Sequence, residues 1–68
     1  MEDVKKMVES LPSVHKSIME AFIEEIETAK TREEKYDLFT FLRGYTTALM
    51  YQGIVSVSDY LKVYGVEL

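Results

Sequence analysis

His15 is the only histidine in the chain and there is no cysteine, so acid–base or nucleophilic chemistry would have to be built around this one imidazole. A general base needs a nucleophile or a substrate held within hydrogen-bond reach. Ser13 and Ser17 each lie two residues from it, and residues two apart on a helix do not face each other. Lys16 follows directly, and Ile18 and Met19 come one helical turn later. The pattern is that of a boundary histidine without catalytic partners, and the chain is expected not to be an enzyme.

Metal chemistry finds no better footing. Glu20, Glu24 and Glu27 share a helix face, as carboxylate ligands do, but carboxylate-bridged sites add Glu-x-x-His units from further helices and none is present. His15 and Met19 at i, i+4 offer two soft donors on a single helix, too few for a site. The glutamates read as a solvated face, and neither a metal nor a cofactor is expected. Three isolated glycines form no phosphate-cradling loop.

Twelve acidic residues against eight basic ones give a net charge of −4, the wrong sign for binding a phosphate backbone. The segment from Tyr45 to Tyr64 loosely follows a helix-turn-helix plan. Its second helix offers only Lys62 to base edges, and Asp59 at its start opposes phosphate. No nucleic-acid partner is expected. Lys5 and Lys6 are offset by Glu2, Asp3 and Glu9, so the first helix lacks the basic face of a membrane-surface helix. No apolar run approaches membrane-spanning length. A soluble, cytoplasmic protein is the expectation.

What remains is recognition chemistry. Tyr36, Phe39, Arg43 and Met50, together with Tyr51, Tyr60 and Tyr64, are of the types enriched at interface centres. The elements that must present them follow from periodicity. Val4, Met7, Val8 and Leu11 repeat at i, i+3, i+4, i+7 and predict a short helix over about 2–10. Pro12, tolerated only in a first turn, predicts a break near Ser10–Leu11, with Ser10 or Leu11 capping a second helix over about 12–30. Val14, Ile18, Ala21, Phe22, Ile26 and Ala29 are its expected buried face, widened by Met19 and Ile23.

Thr31-Arg32-Glu33-Glu34 fits a capping box, with Glu34 reaching back to the Thr31 amide, and opens a third helix over about 32–52. On it Leu38, Phe41, Leu42, Tyr45, Ala48 and Leu49 share one face. Tyr36, Phe39, Arg43 and Met50 form a second band, with Thr46 between the two. Gly44 in its middle is consistent either with a close helix approach or with a polar-side position. Gly53 supplies the left-handed residue that closes the helix, and Ile54 can fold back onto Leu49. Ser56 and Asp59 predict a fourth helix over about 57–64, apolar along Val57, Tyr60, Leu61 and Tyr64.

The expected fold is all-α in one domain, 1–68: an antiparallel hairpin of two long helices with a short helix at each end. Two legs cannot enclose a core alone, and no disulfide can compensate for small size. Oligomerisation into a helical bundle, most economically a homodimer, is therefore expected. The size, acidity and hairpin plan are similar in a general way to small regulatory or inhibitor proteins of bacteria and their phages, an analogy of architecture rather than of motif. The function expected is a non-enzymatic protein-binding module that regulates or inhibits a larger partner through Tyr36, Phe39, Arg43, Met50, Tyr60 and Tyr64. The alternatives are an oligomer that sequesters a nucleotide-like anion with His15, Lys16 and Arg43, and a purely structural homo-oligomer.

Overall fold

A computed structural model describes residues 1–67. Among them are four helices and no strand: α1 (Glu2–Glu9), α2 (Ser13–Thr28), α3 (Arg32–Tyr51) and α4 (Val57–Tyr64). None is long and apolar enough to cross a membrane. α1 packs on α2, α2 on α3, α3 on α4, and α4 returns to α1, while the backbones of the two diagonal pairs stay more than 8 Å apart between Cα atoms. The core lies inside this ring.

The breaks between helices are made by local chemistry. Ser10 ends α1 rather than capping α2: its hydroxyl donates to the Met7 carbonyl at 2.8 Å, and Pro12 is the residue before α2. Proline has no side-chain acceptor to offer the free amides, so α2 starts without a side-chain cap. Thr31 caps α3, accepting from the Glu34 amide at 3.1 Å. The Glu34 carboxylate reaches one residue further back than the expected box, accepting from the Lys30 amide at 3.3 Å. At the other end of α3, Gly53 takes φ +75°. The Ile54 amide then donates to the Leu49 carbonyl at 2.9 Å and the Gly53 amide to Met50 at 3.0 Å, the paired bonds of a Schellman motif. Ser56 caps α4 through the Asp59 amide.

Which face of each helix is buried departs from the periodicity reading. On α2 the buried residues are Met19, Ile23 and Ile26, whereas Val14, Ile18 and Ala21 are exposed and Phe22 and Ala29 half-buried. On α3 the core line is Phe39, Leu42, Thr46 and Leu49, running between the two expected bands. On α4 it is Val63 alone, not the Val57–Tyr60–Leu61–Tyr64 side. The cause is common to all three. Helices α1 and α4 bring Val4, Met7, Val8 and Val63 into the ring, and the stripes that meet them become core whether or not they are the most apolar. Thr46, fully buried, satisfies its hydroxyl on the Leu42 carbonyl at 2.7 Å, the usual resolution for a threonine inside a helix. Gly44 is exposed, with open space where a Cβ would sit, so it marks no close helix approach.

Candidate functional site

Two solvent-facing apolar surfaces result from this choice of core. The first is the flank formed by α4 and the neighbouring side of α3. Because α4 buries only Val63, its Val57 and Leu61 are 62% and 58% exposed and Tyr64 is also exposed. Residues 57, 61 and 64 follow i, i+4, i+7 and so form one continuous strip. Tyr60 is half-buried, its ring 4.8 Å from that of Tyr64.

From α3, Arg43 lies between two aromatic faces, 4.6 Å from the Phe39 centroid and 5.0 Å from that of Tyr64. A guanidinium over aromatic rings is held by their quadrupoles. One terminal nitrogen of Arg43 donates to the Tyr64 carbonyl at 3.5 Å, and Nε is buried without a partner. Arg43 closes one end of a groove of about 180 Å³ shared with Arg32, Tyr36, Phe39 and Val66. Hydrogen bonding to Tyr60 and the charge that Tyr60 would carry push the Tyr64 phenol above its ordinary value, against smaller opposing effects of Thr47 and Arg43.

The aromatic band expected from the sequence is thus divided. Tyr36 and Tyr64 are exposed, and Arg43, Met50 and Tyr60 are half-buried. Phe39, expected on a binding surface, is 2% exposed and belongs to the core. It lies on the line with Leu42, Thr46 and Leu49 that points into the ring.

The second surface is the outer side of the α2–α3 pair. Val14 (66% exposed), Ile18 (37%) and half-buried Phe22 face it from α2, and Phe41 (66%), half-buried Tyr45 and exposed Ala48 from α3. Phe22 and Phe41 stack across the helices at 6.5 Å with 18° between ring planes. His15 Nδ1 and the Tyr45 hydroxyl are hydrogen-bonded at 2.7 Å. Periodicity marks these residues as apolar stripes and predicts them inside, whereas the ring leaves them on its outer side. The excess of apolar positions over what a short chain can enclose was the only signal that one stripe must face outwards.

The charged groups are dispersed by comparison. Lys5 on α1 pairs with Glu27 on α2 at 2.7 Å, and that hydrogen bond raises the lysine's pKa. The pair lies on a groove with Glu9, Glu20 and Glu24. Among the described residues no three His, Cys, Asp or Glu side chains come together as a metal site would require. His15 meets Tyr45 whereas Arg43 meets Tyr64. Residues 43 and 45 point to opposite sides of α3, so His15 and Arg43 do not share a site within one chain. No family model matches the sequence, and neither the curated proteins nor the solved structures yield a match.

Proposed function

We propose that this chain is a small non-enzymatic protein-binding module of the cytoplasm that regulates or inhibits a larger partner. Its framework is an antiparallel α2–α3 hairpin, and its contact surface is the α4 flank: Val57, Leu61, Tyr60 and Tyr64, with Tyr36 and Arg43 beside them. One observation carries the reading. Helix α4 buries only Val63, half-buries Tyr60 and turns Val57, Leu61 and Tyr64 to solvent. Covering an exposed leucine or valine is worth about 1–2 kcal/mol each, and a clamped arginine among tyrosines is a common hot-spot composition.

The test is position-resolved crosslinking in cells. A photoreactive side chain at Leu61 should trap one discrete larger protein. The same group at Glu24, on the acidic side, should trap none, and Leu61→Asp should abolish capture through a crosslinker at Tyr36 without loss of helicity. Equal labelling from positions 61 and 24 would remove the reading.

A second reading rests on the Arg43 groove. Two guanidinium groups and two aromatic rings line it, a composition that suits a planar anion such as a nucleotide. Thermal-shift measurement across nucleotides tests it, since a ligand that binds only the folded chain raises the melting temperature by mass action. A flat response, or one unchanged in Arg43→Met, rejects it.

A further inference from the structure

The outer side of the α2–α3 pair lies apart from the α4 flank, and its composition identifies an occupant. Val14, Ile18, Phe22, Phe41, Tyr45 and Ala48 carry no formal charge, and the carboxylates on this face, Glu25, Glu34 and Asp37, lie towards one end of it. Two copies of a chain of net charge −4 repel over most of their surfaces, and on this face they can meet with those carboxylates kept apart.

We propose that this face pairs with the same face of a second copy, about a two-fold axis passing near Ile18 and Phe41, with the two α2–α3 pairs running in opposite directions. Charge sets the direction. Glu25 and Glu34 share a groove with Leu38 and one cation, Lys30, at one end of the face, which leaves that end net acidic, while Val14, His15 and Ala48 at the other end bring no acid. Opposed copies place the acidic end of each against the acid-free end of its partner. Copies aligned in the same direction would stack Glu25 and Glu34 on themselves.

Area is consistent with a specific though not extensive contact. The 16 residues of α2 span about 24 Å at 1.5 Å per residue, and two packed helices present a width of about 20 Å. A second copy laid along this face removes roughly 500 Å² from each chain, about 1,000 Å² in all, which reaches the lower bound for a specific interface. The share removed from each chain is about a tenth of the 4657 Å² it exposes. The residues that would be covered are already ordered by the Phe22–Phe41 stack and the His15–Tyr45 bond, so pairing orders few additional side chains. A two-fold contact of this kind is self-complementary and closed.

Sedimentation equilibrium of the full chain across roughly micromolar to millimolar concentrations should show a mass rising from 7.9 kDa to twice that value. Phe41→Glu and Ala48→Glu should each return it to the single-chain mass with unchanged far-ultraviolet circular dichroism. Ala48 contributes nothing to the core, so its variant remains informative if Phe41→Glu loses structure. Because the chain has no cysteine, single substitutions report direction: Ile18→Cys should oxidise readily to a linked dimer, and Glu25→Cys should not. A single-chain mass at every concentration would overturn the proposal, as would a dimer that persists in both glutamate variants. Glu25→Cys linking as readily as Ile18→Cys would overturn the opposed arrangement. None of these results bears on crosslinking from Leu61, so the α4 flank stands or falls separately.

Discussion

Phe39 and Phe41 are two residues apart on α3, and the fold assigns them opposite roles. Phe39 is 2% exposed and also supports the Arg43 guanidinium, while Phe41 is 66% exposed and stacks on Phe22. Truncating a fully buried phenylalanine to alanine costs about 3–5 kcal/mol, from lost transfer energy and the cavity left behind. Phe41 has about a third of its surface covered, so the corresponding transfer loss is about 0.5–1 kcal/mol, with a further ~0.5 kcal/mol or more for the stack. A 68-residue chain has a total stability of about 3–10 kcal/mol. Phe39→Ala should therefore remove a third or more of it, and Phe41→Ala a small part.

Urea unfolding followed by circular dichroism separates the two. With a slope of ~1 kcal/mol per molar urea, Phe39→Ala should lower the midpoint by about 3 M or leave the chain unfolded without denaturant. Phe41→Ala should lower it by about 1–1.5 M. The measurement belongs at the dilute end of the concentration range, where pairing of copies adds nothing to apparent stability. If Phe41→Ala proved as costly as Phe39→Ala at that dilution, α3 would be rotated relative to the ring described above, and the core line through Leu42 and Thr46 would be wrong.

Backbone and cap positions make further predictions. Gly53→Ala should cost about 1–2 kcal/mol because φ +75° strains any Cβ, whereas Gly44→Ala should gain about 1 kcal/mol in an exposed helix interior with open space around it; paired thermal melts should move in opposite directions. Thr31→Ala and Ser56→Ala should each cost about 1 kcal/mol by loss of a cap, and amide exchange should show the effect concentrated at Glu34 and Asp59 respectively. Lys5 and Tyr64 both bind their protons more tightly folded than unfolded, so their contribution to stability is intact below about pH 10 and is lost as pH rises through the raised values. Tyr60→Phe should return Tyr64 towards ordinary tyrosine behaviour in a tyrosinate absorbance titration, and an unchanged titration would contradict the coupling between the two phenols.

The sequence made the helix limits legible to within a residue or two because caps are local. Thr31 with Glu34, Gly53 with Ile54, and Ser56 with Asp59 each make their hydrogen bonds within a few residues, so side-chain type alone predicts them. Pro12 marks the break that its chemistry predicts, whereas Ser10 belongs to α1 and not to α2, since its hydroxyl can serve either neighbour and bonds backwards to Met7. The direction each helix faces is not a local property. On α2 and α3 the apolar residues cover more than half of the circumference, so periodicity marks a wide arc without saying which part is core. That depends on where α1 and α4 come to rest, and hence on contacts such as those of Val4, Val8 and Val63 with residues far away in sequence. The consequence for function is specific. The stripe Val14–Ile18–Phe22 with Phe41–Tyr45, which periodicity places inside, is one that the ring leaves uncovered, and the second band contains Phe39, which the core cannot spare. A small all-helical chain with wide apolar arcs thus encloses one core line, and the arc it leaves uncovered can contribute to binding only by being buried against another chain.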